Sequence, residues 1–312
     1  MCPAVSAGMA SEWSAGRLIK ENLIMKACEI KAYAKINLGL DIIGVREDGY
    51  HLLRMVMQSI GLFDRLAFAK TGGGGIKLSF DSRFLPDGPK NHVYKAAQLI
   101  CDEFGIRDGI NVRIEKRIPI AAGLAGGSAD AAATIIALDS LFELGLDASQ
   151  MKAIGLKIGA DVPFCLTGGT VAAEGIGERL TALPDMPKCH ILLIKPGFGI
   201  STRRAYQAYD GNPAKTHPDI DALIDGVREM DLKKLCANME NVFEEIAFAE
   251  HPVLSDIKRQ LLCAGALSAL MSGSGPTVFA VFDDKDAASK AYNSFKCGEY
   301  GSGTFLTGPV KI

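Results

Sequence analysis

Apolar and polar residues alternate strictly in a stretch close to the start of the chain. The apolar positions are Ile30, Ala32, Ala34, Ile36, Leu38, Leu40 and Ile42. A period of two residues predicts a β-strand with one face on a core. Lys35 and Asn37 lie together on the opposite face, where they form either an ordinary solvent-facing surface or part of a functional site.

The next signal is a hairpin turn at Asp48-Gly49, a pair that is typical of tight β-turns. It predicts that Tyr50 and His51 open the returning strand, beside the far end of the first strand. An aromatic ring and an imidazole at this position are either surface residues or a stacking and hydrogen-bonding pair for a planar ligand.

A second helix–strand pattern leads to a glycine-rich loop. Asn91 is a good cap residue for the helix that begins after it, and the strand near 109–116 ends before Pro119. The stretch "GLAGGSADAAA" follows at 123–133 and continues into a helix with Ile135 and Leu138 at helical spacing. We expect Ser128 or Asp130 to cap its first turn.

A glycine loop that feeds a helix N-terminus predicts an anion site, because free N–H groups and the helix dipole both favour negative charge. The lysine of a Gly-x-x-x-x-Gly-Lys-Ser/Thr loop is missing, since Ser128 and Ala129 follow the glycine pair. The dinucleotide fingerprint Gly-x-Gly-x-x-Gly, with its later acidic residue, is missing as well. A purely structural turn is the alternative.

The C-terminal part alternates strands and helices. A strand, loop and helix open it at 190–206, helices follow around 219–247, and a helix, strand, glycine loop and strand occupy 253–282. A helix near 286–296 and a strand near 304–311 complete a pattern that predicts an α+β sandwich. With 312 residues, 48% of them hydrophobic, we expect two domains, 26–184 and 185–312, and a peripheral extension at 1–25.

Composition excludes several classes of protein. The 34 basic and 36 acidic residues are dispersed, which argues against a nucleic-acid or membrane-surface partner. Eight cysteines lie scattered without a Cys-x-x-Cys pair, as is typical of free thiols in a reducing compartment. No apolar run reaches the ~18 residues of a membrane span, and the first 25 residues do not resemble a secretory signal. We therefore expect a cytoplasmic protein.

Three stretches carry a family resemblance. "PIAAGLAGGSADAAA" at 119–133 resembles the phosphate loop of the GHMP kinases, the superfamily of galactokinase, homoserine kinase and mevalonate kinase. "AYAKINLGL" at 32–40 and "MSGSGPTVFAVF" at 271–282 are similar to its first and third motifs. "DGYH", "IGADVPFCLTGGT" and "AEGIGE" narrow the resemblance to the branch that phosphorylates a cytidyl diphosphate polyol, and the match covers nearly all of the chain from about residue 28.

The resemblance implies a two-domain GHMP kinase fold, with an N-terminal ribosomal-S5-like domain and a C-terminal ferredoxin-like domain. It implies ATP as phosphate donor, Mg²⁺ as cofactor, a small-molecule acceptor, and a monomer or weak homodimer. A different small-molecule kinase of the superfamily, of the mevalonate or homoserine type, and a nucleotide-binding protein without catalysis are the alternatives.

Site residues follow from the matched motifs. The catalytic pair matches Lys35 and Asp161, and the adenine pocket matches Asn91 and Lys116. The ATP phosphates are expected at Pro119, Ile120, Ala121, Ala122, Gly123, Leu124, Ala125, Gly126, Gly127, Ser128 and Ala129. In the resemblance, Tyr50 and His51 hold the cytosine of the substrate and Asn37 lies by its polyol end. Thr170 is a further expected substrate contact, and the last glycine loop, Gly273, Ser274 and Gly275, is expected across the cleft.

Phosphoryl transfer requires charge neutralisation on the transferred group and an attacking hydroxyl held in line. Asp161 fits a general base, Lys35 is expected to keep it ionised and to contact the γ-phosphate, and Ser128 is expected to approach magnesium. A helix cap is the alternative role for Asp161, because a proline follows two residues later. Some relatives carry an aromatic residue for base stacking where this chain has Ala172.

Overall fold

The structure is a computed structural model that describes residues 27–311 except 82–85, 87 and 215. The extension predicted for residues 1–25 lies outside the described residues. Within these described residues, ten strands form two sheets, and helices pack against both of them. The predicted α+β class is confirmed.

The first sheet contains the six strands of the N-terminal part. They are β1 (Ala27–Val45), β2 (His51–Thr71), β3 (Ile76–Phe80), β4 (Gly109–Glu115), β5 (Thr170–Gly175) and β6 (Arg179–Ala182). The order is β3-β4-β2-β5-β6, β1 pairs antiparallel with β2, and the β3–β4 pair is parallel. The predicted hairpin is present, with Gly49 at φ 83° and the Arg46 N–H donating to the Tyr50 carbonyl at 2.7 Å.

Strand β1 differs from the expectation in one respect. The alternation predicted one buried face, whereas residues 34–42 are buried on both faces. Lys35 is 5% exposed and Asn37 is 1% exposed. Their side of the strand is covered by a loop from the second sheet, so these polar side chains belong to an internal site and not to a solvated surface.

Helices α1 (His92–Phe104), α2 (Gly126–Phe142) and α4 (Val162–Thr167) pack on the first sheet, and α3 (Ala148–Ile158) packs on these helices. Asn91 caps α1 as predicted, because its side-chain oxygen accepts from the Val93 N–H at 2.9 Å. The predicted cap of α2 by Ser128 or Asp130 is wrong. The helix begins at Gly126, its N-cap Ala125 makes no side-chain capping bond, and Asp130 is bound to a lysine.

The second sheet is antiparallel, with the order β10-β7-β9-β8. Its strands are β7 (His190–Ile194), β8 (Ser268–Met271), β9 (Val278–Phe282) and β10 (Thr304–Thr307). The helices are α5 (Thr202–Gly211), α6 (Ile220–Arg228), α7 (Leu232–Ala237), α8 (Glu244–Glu250), α9 (Pro252–Cys263) and α10 (Lys285–Lys296). Helices separate β7 from β8 and β9 from β10, which is the predicted ferredoxin-like arrangement.

Two hydrophobic cores hold the sheets together, and each takes residues from both. The larger core joins Ile36 of β1 to Phe279 of β9, and the second joins Leu40 of β1 to Phe282 of β9. The expected boundary at 184/185 falls between the last strand of one sheet and the first strand of the other. Among the described helices, none is both long and apolar enough to cross a bilayer.

Candidate active site

A cavity of about 790 Å³ lies where the two sheets meet. Most of the predicted site residues line it: Lys35, Asn37, Tyr50, His51, Asn91, Lys116, Pro119 to Ser128, Asp161, Gly273 and Ser274. Its walls come from β1, the loop before α2, the starts of α1 and α4, helix α5 and the loop between β8 and β9. One cavity therefore unites motifs that lie far apart in the sequence.

The polar centre of the cavity consists of Lys35, Asn37 and Asp161. The Lys35 ammonium donates to the Asn37 side-chain oxygen at 2.6 Å and lies 3.8 Å from the Asp161 carboxylate. Lys35 is almost fully buried, whereas the Asp161 side chain keeps 34% of its surface exposed. A cation fixed by a neighbouring amide beside an accessible carboxylate suits a reaction in which a hydroxyl loses its proton to that carboxylate.

The position of Asp161 answers the question of whether it is only a helix cap. It occupies the N-cap position of α4, with Pro163 in the first turn, but its side chain makes no capping hydrogen bond. Its carboxylate lies in the cavity wall instead. Aspartate is common at the N-cap position of helices. Here its carboxylate does not cap α4 and is therefore free to contact a ligand.

The phosphate loop, residues 119–128, has an unusual backbone. Ala121, Gly123 and Ala125 all have positive φ angles, between 50° and 74°. Alanine rarely adopts this conformation, and such strain persists where the surrounding structure enforces it, often at functional sites. The loop is bound to strand β1, because the Lys35 N–H donates to the Leu124 carbonyl at 3.2 Å.

The first turn of α2 opens into the same cavity through Gly126, Gly127 and Ser128. The first N–H groups of a helix have no partner within the helix, and α2 has no side-chain cap. The helix dipole adds positive potential at this end. Because no side chain caps α2, its first N–H groups stay available to an anion, which supports the predicted anion site.

The cleft loop, Gly273 to Gly275, packs directly on both elements. Ser272 donates its hydroxyl to the Gly123 carbonyl at 2.9 Å and accepts from the Asn37 N–H at 3.3 Å. A Cβ on Gly273 would lie 3.4 Å from the Lys35 ammonium. The prediction that this loop approaches the phosphate loop across the cleft is confirmed, and a plain tight turn is not its whole role.

Asn241 holds the cleft loop from behind. Its side-chain amide donates to the carbonyls of Met271 at 2.7 Å and Gly273 at 2.8 Å, and its oxygen accepts from the Phe243 N–H at 3.0 Å. The residues on either side of Asn241 hydrogen-bond to Leu40 of β1. This buried amide ties the cleft loop to the strand that carries Lys35.

Lys116 sits beneath the phosphate loop in a buried charged cluster. Its ammonium binds the carboxylates of Asp64 and Asp130, the latter at 2.7 Å, and Asp64 also accepts from the Ile118 N–H at 2.8 Å. Burial lowers the pKa of Lys116, but Asp130 and Asp64 raise it by more. Burial raises the pKa of Asp130 against the opposing effect of Lys116. The cluster anchors the entry to the loop.

The other end of the cavity is aromatic. The His51 ring packs against Tyr206 with centroids 4.7 Å apart, and Tyr206 meets Phe243 edge-on at 5.0 Å. Burial, and to a smaller extent the charge of Asp161, raises the pKa of Tyr206, so the phenol stays protonated. Tyr50 is 60% exposed at the mouth. These rings form a surface for a planar group.

Three predicted site residues do not reach the cavity. Thr170 is buried, and its hydroxyl donates to the Gln58 side chain at 2.6 Å and accepts from the Met186 N–H at 2.9 Å. Ala129 faces the larger core. Gly275, at the end of the cleft loop, packs against Met271, whose sulfur an added Cβ would meet at 2.5 Å. Their assignment to ligand contacts therefore stays a prediction.

Ala172 also stays out of the cavity, since it pairs with Val56 and packs on the larger core. Sequence reasoning missed the residues that supply aromatic surface instead, Tyr206 and Phe243. The missed signal was "RRAYQAYD", an amphipathic helix whose aromatic residues recur at helical spacing. Such spacing usually indicates core packing, so it did not identify a ligand surface.

The donor set at the cavity limits the kind of metal site. Within the described ranges, no group of three or more His, Cys, Asp or Glu side chains is arranged to hold an ion. The Asp161 carboxylate and the Ser128 hydroxyl both line the cavity, and a Cβ on Gly159 would lie 3.9 Å from that hydroxyl. Mg²⁺ commonly uses one or two protein oxygens plus substrate phosphates, and these residues fit that pattern.

Comparisons with known proteins agree with this geometry. The family models described as "GHMP kinases N terminal domain" and "GHMP kinases C terminal" match residues 91–169 and 220–300. A 4-diphosphocytidyl-2-C-methyl-D-erythritol kinase of Lachnoclostridium phytofermentans is 46% identical over 91% of this chain and 97% of its own length.

Solved structures give the same result. A crystal structure of 4-(cytidine 5'-diphospho)-2C-methyl-D-erythritol kinase superposes with a TM-score of 0.76 at 31% identity, covering 91% of this chain and all of that one. Homoserine kinase from Cytophaga hutchinsonii shares the fold, with a TM-score of 0.73 at 20% identity over 94% of this chain and 97% of its own. The chain belongs to the GHMP kinases, in the family of the 4-diphosphocytidyl-2-C-methyl-D-erythritol kinases.

Proposed function

We propose that the protein transfers the γ-phosphate of ATP to the 2-hydroxyl of 4-diphosphocytidyl-2-C-methyl-D-erythritol, a step toward isoprenoid precursors. One observation carries the proposal. The Lys35–Asp161 pair lies in a single cavity that has an anion-binding loop on one side and a surface of histidine and tyrosine rings on the other. A triphosphate donor and a nucleotide-linked alcohol can therefore meet at that pair.

The donor occupies the phosphate-loop side. The loop N–H groups and the α2 N-terminus bind the phosphates, since both present positive charge to an anion. Asn91 and Lys116 line the neighbouring wall, where the adenine is proposed to lie. Two carboxylates already neutralise the Lys116 ammonium. Lys116 therefore contributes to the shape of that wall and not a free positive charge for ATP.

The reaction needs in-line attack and charge neutralisation more than covalent help from the protein. Asp161 accepts the proton of the substrate hydroxyl, and Lys35 lies beside the position where negative charge develops. Asn37 fixes the Lys35 ammonium and lies near the polyol. Mg²⁺, held by the phosphates with Asp161 and Ser128 nearby, would neutralise charge on the transferred group.

The acceptor occupies the aromatic side. His51, with Tyr206 against its ring, and Tyr50 at the mouth bind the cytosine, and the diphosphate leads the polyol toward Asp161. In this proposal Tyr206 takes the stacking role that Ala172 cannot provide. Removing His51 is expected to raise KM for the cytidyl substrate and to leave KM for ATP unchanged.

We further propose a monomer or weak homodimer, as the resemblance to the GHMP kinases implies. The cytoplasm is the proposed location, since all seven cysteines in the described part of the chain are free thiols.

The test is ADP release with MgATP and a panel of alcohols. The proposal predicts turnover of 4-diphosphocytidyl-2-C-methyl-D-erythritol, and none of free methylerythritol, mevalonate or homoserine. Asp161→Asn is the matched variant that separates catalysed transfer from background ATP hydrolysis. Turnover of mevalonate or homoserine in place of the cytidyl compound would assign a different substrate, and turnover of no alcohol would favour a binding protein.

A further inference from the structure

The imidazole of His51 has a partner that the binding site does not otherwise require. Its Nε2 lies 2.7 Å from the Asp210 carboxylate, which comes from helix α5, 159 residues away in the chain. The His51 side chain is 11% exposed, whereas that of Asp210 is 55% exposed. The carboxylate therefore touches the ring from the solvent side of the cavity wall.

Helix α5 fixes the orientation of the ring as well. Tyr206 and Asp210 are four residues apart, so they lie on one face of the helix, toward His51. Tyr206 packs on the ring with an interplanar angle of 37°, and Tyr209 meets it edge-on with centroids 6.4 Å apart. Two aromatic contacts and one hydrogen bond leave the imidazole little freedom to flip.

The hydrogen bond decides where the ring proton resides. An ionised carboxylate only accepts hydrogen bonds, so a neutral His51 must carry its hydrogen on Nε2. Nδ1 then has a lone pair. Because Asp210 occupies Nε2 and His51 lines the cavity, the remaining ring nitrogen is Nδ1. This nitrogen is the acceptor that His51 offers to a ligand in the cavity.

We propose that Asp210 is a positioning residue that makes the site select cytosine over uracil by fixing the tautomer of His51. The inference rests on the proposed function. Cytosine presents an amino group at C4, which donates a hydrogen bond, whereas uracil presents a carbonyl there, which accepts one. The lone pair on Nδ1 accepts a hydrogen bond from the amino group of cytosine. With uracil, the same lone pair faces the lone pairs of the carbonyl oxygen, and both acceptors stay unpaired, which costs free energy.

The first test measures base discrimination in the Asp210→Asn variant. An amide can accept or donate, so this variant permits both tautomers of His51. The ratio of kcat/KM for the cytidyl substrate to that for the corresponding 4-diphosphouridyl compound is expected to fall about tenfold. KM for ATP should not change. Asp225→Asn, which removes an exposed carboxylate of α6 that pairs with Arg228, is the control and should keep the native ratio.

Two outcomes of this assay have separate meanings. An unchanged ratio in an active Asp210→Asn variant would overturn the role of Asp210 and leave the kinase assignment intact. Failure of the native protein to use either nucleotide-linked alcohol would overturn the proposed function, and the base assignment with it.

The second test observes the tautomer without catalysis. In protein labelled with ¹⁵N-histidine, the two ring nitrogens of His51 should show one protonated and one lone-pair type of resonance, with hydrogen on Nε2. His51→Gln identifies the signals by their disappearance. In Asp210→Asn the two resonances should move toward each other as the tautomers mix. A hydrogen on Nδ1 in the native protein would overturn the proposal, whatever the kinetic result.

Discussion

Gly123 offers a sharp test of the contact between the phosphate loop and the cleft loop. Its φ angle is +74°, and an added Cβ would lie 2.1 Å from the Ser272 carbonyl oxygen and within 3.2 Å of two backbone atoms of Gly275. Gly123→Ala should therefore strain the phosphate loop and push the two loops apart, just where they meet Lys35.

The expected magnitude has two parts. A left-handed alanine costs about 1–2 kcal/mol relative to glycine. Forcing a methyl group into closely packed backbone costs about 1–3 kcal/mol more, because the neighbours must move. We expect a loss of about 2–5 kcal/mol in the free energy of unfolding and a fall of at least about tenfold in kcat/KM, since misplacement by about 1 Å is costly in catalysis.

Two matched variants separate these parts. Gly105→Ala has the same strain, with φ +66°, but open space around its Cβ, and Gly197→Ala has neither a positive φ nor a close neighbour. In urea unfolding, Gly105→Ala should lose only the free energy that backbone strain costs, and Gly197→Ala should lose little. In steady-state kinetics, both variants should keep native activity. If Gly123→Ala matched Gly105→Ala in both assays, the close contact of the two loops would be refuted.

Three further predictions concern the cavity wall. Asp161→Asn should lower kcat about 100-fold or more while calorimetry shows an unchanged Kd for ATP, and an unaltered kcat would remove Asp161 as general base. Asn241→Asp keeps the shape but loses both donors to the cleft loop, so kcat/KM should fall at least about tenfold, and native kinetics would contradict this positioning role. Lys116→Met leaves Asp64 and Asp130 buried without a cation and should cost about 3–5 kcal/mol in urea unfolding, partly recovered by adding Asp130→Asn. No recovery would mean that the charges are not coupled.

Local signals in the sequence predicted the elements that build the site. The alternation over 30–42, the Asp48-Gly49 turn and the Asn91 cap all correspond to observed structure, because hydrophobic period, turn chemistry and capping are decided within a few residues. The glycine loop before a helix likewise predicted an anion site, and the family resemblance placed Lys35 and Asp161, which the structure brings to one cavity.

Contacts distant in sequence were beyond such reasoning. Asn37 is buried because Ser272, 235 residues later, covers it. Thr170 was expected at the substrate, but Gln58, 112 residues away, takes its hydroxyl. The left-handed conformations of Ala121 and Ala125 have no local signal, since alanine prefers other conformations, and only the packing around the loop enforces them.

The most direct test of the account is the position of the phosphate in the product. After incubation of the protein with MgATP and 4-diphosphocytidyl-2-C-methyl-D-erythritol, NMR should show a new phosphomonoester whose phosphorus couples to C2 of the polyol, with one ADP formed for each product. A phosphate on another carbon would mean that the hydroxyl placed at Asp161 is not the one proposed. ADP formation without any phosphorylated alcohol would contradict the kinase assignment itself.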